Sequence, residues 1–329
     1  MRNFILFLIK KMGRVLLLMA AVSMAAFLLV DRSPIDPLQV NVGQAALGAM
    51  SREQREKLED YWGVDDPPLT RYLGWARDFL RGDMGISLLY RQPVEEVIRV
   101  RLLNSLSLMV SAWILSGILG LALGILAGMY RGRWPDRLIG GYCLVVASTP
   151  VFWIALLLLL IFAVWLGLFP IGLSVPIGME AAAVTASDRL HHAFLPALAL
   201  GITGISNVAL HTREKTIDVL ESDYMLFAAA RGERKWGMLR RHGLRNLLLP
   251  ALTLQFSSVS EIIGGSVLVE QVFSYPGLGQ AAVTAGTGSD VPLLMGITVI
   301  TAAIVFTGNL LADVLSHVVD PRMRKGGEA

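Results

Sequence analysis

The chain has 329 residues, 54% of them hydrophobic and only 17% charged, against about 25% charged in an ordinary soluble domain. So little polar surface cannot cover a soluble globule, and the same figures exclude disordered and low-complexity chains. The single cysteine, Cys143, rules out a disulfide framework or a Cys-based metal cluster, and a net charge of +3 is too small to imply a nucleic-acid partner.

Stretches free of Asp, Glu, Lys and Arg mark the membrane elements, each needing ~20 mostly apolar residues to cross a bilayer. The first, 15–30, is short, but residues 4–9 ahead of Lys10 and Lys11 let its helix begin earlier. Basic residues before a short apolar core also suit a cleaved signal peptide. This core lacks a convincing small-residue cleavage site and five more spans follow, so a retained span is expected. Residues 31–101 are polar, with Pro34, Pro37, a helix opening over 51–57, and Asp65-Asp66-Pro67-Pro68; they read as an external segment. The second run, 102–130, carries Gly120, Gly124 and Gly128 at four-residue spacing, which lets another backbone approach closely. Helix packing is the expected role, with pore lining as the alternative.

The run 138–179 holds 32 residues before its Phe169-Pro170-Ile171-Gly172 stop. That is ~48 Å of helix, one tilted span or two short ones broken at Pro150. The fourth run, 190–212, repeats polar residues every four positions at Thr203, Asn207 and His211. The polar loop 213–245 follows. In the fifth run, 246–260 with 262–269 beyond Glu261, Thr253, Ser257, Glu261 and Gly265 recur every four residues and are expected to share one face. Glu261 is either a protonated side chain bonded to a neighbouring helix or part of the wall of a translocation path, with Ser257 and Asn207 as companions. The sixth run, 291–312, continues into Asn309, Asp313 and His317 at the same spacing, read as interhelical hydrogen bonding more than substrate contact.

Basic residues orient the spans. With one span in 138–179, Arg131, Arg133, Arg137, the eight Lys and Arg of 213–245, and Arg322, Arg324 and Lys325 all share the side of Lys10 and Lys11. No Lys or Arg occurs in 246–320, so its hairpin loop lies outside. The expectation is six spans with both ends in the cytoplasm.

The chain carries no phosphate-loop, zinc-protease, nucleophile-elbow or C-x-x-C motif. Adjacent His191 and His192 point two ways on a helix and suit a membrane interface better than metal ligation, so neither catalysis nor a bound metal is expected. Loop 213–245 is the structured exception. Ser222 or Asp223 caps a helix placing Tyr224, Phe227, Ala228 and Arg231 on one face, and Gly232 fits the left-handed position that closes it. A second helix follows with Trp236, Leu239 and Gly243 in one stripe, flanked by Arg240, Arg241 and Arg245, and Pro250 is expected to start the next span. By residues alone this hairpin either lies on lipid headgroups or offers a helix to a partner's groove.

Asp223-Tyr224-Met225-Leu226-Phe227-Ala228-Ala229-Ala230-Arg231-Gly232, with Pro250 beyond it, resembles the "EAA" loop of bacterial ATP-binding-cassette importer permeases. Leu239 to Asn246, the external stretches Asp66-Pro67-Pro68 and Gly82 to Ser87, Thr149 to Trp153, Glu270 to Gly279, and Asp320-Pro321-Arg322 are similar to the dipeptide, oligopeptide and nickel branch, in family order. Glu233, Ser289 and Ser316 depart from that branch's usual residues.

The resemblance implies an all-α integral membrane protein of six transmembrane helices, a type I, methionine-permease-like core with an external segment after the first helix. Residues 1–101 would hold the first helix and that segment, 102–321 the permease core with coupling loop 213–246, and 322–329 a cytoplasmic tail. It implies a multi-pass subunit of the bacterial inner membrane, in contact with lipid. A homologous second permease, two cytoplasmic ATPases carrying the ATP and Mg, and an external or periplasmic binding protein for peptides or nickel and metal chelates would complete the machine. Asp223, Tyr224, Phe227, Ala228, Ala229, Arg231, Gly232, Trp236, Leu239 and Arg241 would meet the ATPases. The rival reading is a stand-alone channel or membrane-embedded enzyme using the external segment as a lid.

Overall fold

A computed structural model describes residues 2–32, 50–54, 67–176, 178 and 183–319. Pro34, Pro37, Asp65-Asp66, residues 55–57 of the expected helix opening and the stretch from Asp320 onward lie outside the described residues. Ser51 and Gln54 form a reciprocal capping pair at 3.1 and 3.3 Å, the start of that helix.

Among the described residues the named elements are all helical: α1 (Arg2–Asp31), α2 (Pro68–Leu80), α3 (Val94–Met129), α4 (Trp134–Ala147), α5 (Val151–Leu158) with a π-helical continuation Leu159–Trp165, and α6 (Ala186–Leu220). Then come α7 (Asp223–Ala230), α8 (Lys235–Met238) with π turn Leu239–Gly243, α9 (Leu244–Ser257), α10 (Val259–Val272), α11 (Leu278–Thr287) and α12 (Val291–Val319). Four helices are individually long and apolar enough to cross a membrane, within α1, α3, α6 and α12, and two bent pairs bring the number to six.

The bends revise two expectations. The 138–179 run is neither one straight helix nor long enough to reach the Phe169 stop as helix: it breaks at Ser148-Thr149-Pro150, turns by 104°, and ends at Trp165. Pro150 supplies the reason, because its ring disfavours helix at Thr149 and it has no N–H to donate. The fifth run bends by 49° at Ser258. Pro250 does not start that span but lies inside α9, which continues without interruption from the π turn of the preceding loop.

The chain forms two compact units. The first combines Met1–Leu103 with Gly277–Phe306. Its core packs Val94, Val97 and Ile98 of α3 against Leu278, Ala281 and Ala285 of α11 and Leu293 and Ile297 of α12. Those α11 and α12 side chains are what the start of α3 buries itself against. Buried Asp290 anchors the unit: one carboxylate oxygen accepts from the Ser87 hydroxyl at 2.5 Å and the Leu89 N–H at 3.1 Å, and the other accepts from the Leu293 N–H at 3.2 Å, capping α12.

The second unit comprises Asn104–Pro276 and Thr307–Ala329. Its centre is α6, which opens on a Thr185–Asp188 capping box and packs against α4, α5, α9 and α10. The glycines of α3 set its approach to α6. A Cβ on Gly120, Gly124 or Gly128 would fall 2.6, 2.5 or 2.6 Å from the Cβ of Val208, Thr212 or Thr216. Only hydrogen fits at those three points, so the helices meet backbone to side chain along three turns. Further along, Gln255 of α9 donates to the Trp113 carbonyl at 2.6 Å and to Ser116 at 2.9 Å, while the Trp113 indole donates to the Gln255 carbonyl at 2.8 Å. Fully buried Glu270 meets the Ser105 hydroxyl at 2.6 Å.

Candidate functional site: a helical hairpin and a polar cleft

The hairpin grows directly out of α6. Ser222 stands at the N-cap of α7, but its hydroxyl donates back to the Val219 carbonyl at 2.5 Å rather than capping. Asp223 occupies the first turn of α7, where a negative charge complements the helix dipole. At the other end Gly232 has φ +85°, its N–H meets the Ala229 carbonyl at 2.9 Å, and the Glu233 N–H meets the Ala228 carbonyl at 3.3 Å. These two bonds are a Schellman closure, which requires a left-handed residue at the glycine position. Asn246 donates to the Tyr224 hydroxyl at 2.9 Å, tying α7 to the start of α9.

One side of the hairpin is core. Met225, Ala228, Met238, Leu239 and Leu247 pack with Val219, Ile125 and Met129. The other side carries exposed Leu226, Phe227 (68% exposed) and Trp236 (55%), with Tyr224, Ala229, Arg231 and Arg241 also outward. This separates residues that sequence spacing had grouped. Ala228 turns inward with Met225, whereas Tyr224, Phe227 and Arg231 stay outside. Leu239 and Gly243, the two ends of the π turn, are buried, while Trp236 ahead of it is exposed. Glu233, where the resembling branch has an apolar residue, sits 3.5 Å from the His242 Nε2 and 4.0 Å from the Arg241 guanidinium.

Two ion pairs join the helix that feeds the hairpin to the turn after α3 and to the first turn of α4. Asp136 is buried and receives Arg213 through two bonds, Nε–Oδ1 at 2.5 Å and Nη2–Oδ2 at 2.9 Å, and the Gly132 N–H at 2.8 Å. Arg131 and Glu221 pair at 2.5 Å on the exposed surface. Neither pair was anticipated; each joins residues 77 to 90 positions apart, at the edges of charge-free runs.

The second feature is an open cleft of about 570 Å³ between α5, α6, α9 and α10. Its polar lining includes Thr149, Thr203, Asn207, Ser258 and Glu261, the last being the one ionisable residue among the described lining residues. The Thr149, Thr203 and Ser258 hydroxyls each donate to a backbone carbonyl three or four residues back, at 2.8 Å. Their protons being committed, the hydroxyl oxygens offer lone pairs to the cleft. Among the described residues no hydrogen bond or ion pair reaches the exposed Glu261 carboxylate. The structure therefore brings Asn207 and Glu261 together but leaves Ser257 aside. Its hydroxyl donates to Thr253 at 3.0 Å, and the bend at Ser258 breaks the expected Thr253–Gly265 stripe, so Ser258 lines the cleft instead. His211 falls into a separate cleft of about 220 Å³ with Glu214, Lys215 and Asp218. Asn309 is exposed and Asp313 half-buried; the His317 side chain lies outside the described residues. His191 and His192 contact the carbonyls of Leu168 and Gly172 at 3.1 and 3.0 Å.

Residues 120–325 match the family model for the binding-protein-dependent transport system inner membrane component. The chain is 34% identical over 309 residues to the oligopeptide transport system permease protein AppB of Bacillus subtilis, covering 93% of this chain and 95% of that protein. It is 31% identical over 318 residues to the glutathione transport system permease protein GsiC of Escherichia coli K12, covering 97% and 98%. In fold it is similar to the MetNI methionine ABC transporter in inward-facing conformations, with a TM-score of 0.52, 16% identity, and coverage of 69% of this chain and 97% of that one. Helical architecture, membrane spans and relatives that match nearly end to end agree: this chain belongs to the binding-protein-dependent transport system inner membrane component family, the permease subunits of ABC importers.

Proposed function

We propose that this permease imports peptides or peptide-like substrates together with a homologous second permease, two ATPases that bind ATP and Mg, and an external binding protein. The hairpin α7–α8 would face the cytoplasm, as would both ends of the chain, and enter a groove on an ATPase. The observation that carries this reading is the exposed row of Leu226, Phe227 and Trp236 beside basic side chains on a hairpin whose opposite side is core. Such an apolar crest on a rigid, glycine-closed turn suits helix-in-groove docking. Similarity to AppB and GsiC supports peptides and glutathione-like compounds as the substrate class, ahead of nickel and other metal chelates, the further reading of the sequence. Family membership removes the support for a stand-alone channel or enzyme.

The cleft supports a place for the substrate. An acceptor-lined wall with one carboxylate suits a donor-rich cationic group such as a peptide ammonium, with Glu261 and Asn207 as the contacts. The coupling half is tested with Phe227→Cys in the intact importer, since the native Cys143 is buried. The expected result is a cross-link to an ATPase subunit and protection from impermeant maleimide added outside cells. Labelling from outside would overturn both the topology and the coupling role.

A further inference from the structure

Helix α2 belongs to a segment whose composition reads as external and polar, yet it is fixed to the side of the first membrane helix. The Tyr72 hydroxyl lies 2.8 Å from the Ser23 hydroxyl, and the Tyr72 ring meets Phe27 edge-on at 5.6 Å. The Arg71 guanidinium lies 5.9 Å from the Phe27 ring centre. Trp75 and Phe79 extend the aromatic row from Tyr72 along α2, at 6.0 and 5.2 Å. Ser23 stands seven residues inside the apolar run that ends at Val30, about 10 Å below that end at 1.5 Å per residue. A tyrosine reaching this depth holds its helix at the level of the membrane boundary, where Tyr and Trp concentrate.

The face of α2 next to this aromatic edge is apolar and uncovered. Leu69, Leu73 and Leu80 are 60%, 58% and 86% exposed. At 100° per residue they fall within about 40° of one another. Asp78 lies about 160° from the centre of the stripe, and Arg77 and Arg81 flank it at about 60° and 100°. The exposed Leu28 and Leu29 of α1 belong to the same end of the first span.

We infer that α2 is an interfacial anchor whose leucine stripe enters the acyl-chain region of the leaflet at the Val30 end of α1. Three observations select lipid as the occupant. The adjacent face is already bonded to a membrane-crossing helix at hydrocarbon depth. The leucines lie about 80° around the helix from Tyr72, so one orientation of a helix lying in the boundary turns both toward the hydrocarbon. Arg77 and Arg81 flank the stripe on its side away from the aromatic row, from where long side chains reach up to headgroup phosphates while the leucines are submerged, and Asp78 faces away, the pattern of a helix lying in the boundary plane. The segment would then tether the extracellular entrance of the permease to the bilayer rather than hang free as a soluble lid.

The test uses the full importer in proteoliposomes of phosphatidylethanolamine and phosphatidylglycerol, with a nitroxide on Leu73→Cys and, separately, on Asp78→Cys; buried Cys143 stays in place. Leu69→Cys is the second site should Leu73→Cys fail to assemble. The expected result is severalfold greater relaxation by oxygen than by an impermeant chromium chelate at Leu73, and the reverse at Asp78. Chelate access at both the leucine site and Asp78 would overturn the inference. So would a leucine site shielded from both reagents, which would mean a protein covers the stripe.

Discussion

Gly232→Val isolates the torsional demand of the hairpin turn. A Cβ at Gly232 meets nothing within 4 Å, so crowding contributes nothing and the whole effect arises from φ +85°. Holding a β-branched residue there costs ~1–3 kcal/mol, whereas Asn visits the left-handed region readily. At 1.4 kcal/mol per decade this shifts the turn's equilibrium by roughly 5- to 150-fold. The strain is relieved only by opening the bonds to Ala228 and Ala229, but Met238 and Leu239 keep α8 in the core, so the crest at Phe227 and Trp236 loses its fixed spacing. Membrane insertion should stay normal while substrate-stimulated ATP hydrolysis separates from uptake, measured side by side in reconstituted importer. Gly232→Asn should stay near wild type and Gly232→Ala fall between. Full coupling in the valine variant, or equal damage from asparagine, would refute a torsional role.

Glu261→Gln preserves shape and removes charge; a path role predicts impaired uptake with normal assembly and ATPase activity, and wild-type uptake at neutral pH would retire it. Asp136→Asn leaves buried Arg213 contacts without their charge, at a cost of about 1–3 kcal/mol, less than the ~3–5 of a fully buried pair because Arg213 is 29% exposed. Arg131→Gln, on the exposed pair, should change the midpoint of thermal unfolding in detergent far less; equal shifts would argue against the distinction. Gly124→Val drives a branched side chain into Thr212 and the Ala209 carbonyl, overpacking by ~1–3 kcal/mol or more. Its yield of monodisperse protein should drop, while Gly140→Val, whose Cβ meets nothing within 4 Å, should not.

The spans were legible because charge cannot enter them cheaply, so their limits are written in the positions of Lys, Arg, Asp and Glu. The Gly120–Gly124–Gly128 ladder and the left-handed Gly232 were legible for a related reason: absence of a side chain is a strong local signal. The bends were harder. Pro150 offered a hint, but no residue in Gln255-Phe256-Ser257-Ser258 announces a 49° turn, and that turn dissolved the Ser257–Glu261 stripe. The π turns at Leu159–Trp165 and Leu239–Gly243 leave no mark in composition either. Buried polar partners were out of reach altogether. Ser87 and Asp290 are separated by 203 positions, Ser105 and Glu270 by 165, and each looks locally like an ordinary surface residue.

Those partners also explain why Glu261 stands apart. A polar group inside an apolar helix must be satisfied by its own backbone, by another helix, or by water. Thr149, Thr203, Ser257 and Ser258 take the first route, each donating to a carbonyl one turn back. Gln255, Glu270 and Asp290 take the second, meeting Trp113 and Ser116, Ser105, and Ser87 with the α12 amides. Glu261 has neither kind of contact among the described residues and opens on a cleft that holds no other ionisable lining residue. A carboxylate facing lipid would cost about 3 kcal/mol on insertion scales for comparable charges, with nothing in return. On the proposed path role, water or a cation in that cleft would be the partner of this side chain, and the Glu261→Gln comparison of uptake with assembly decides it.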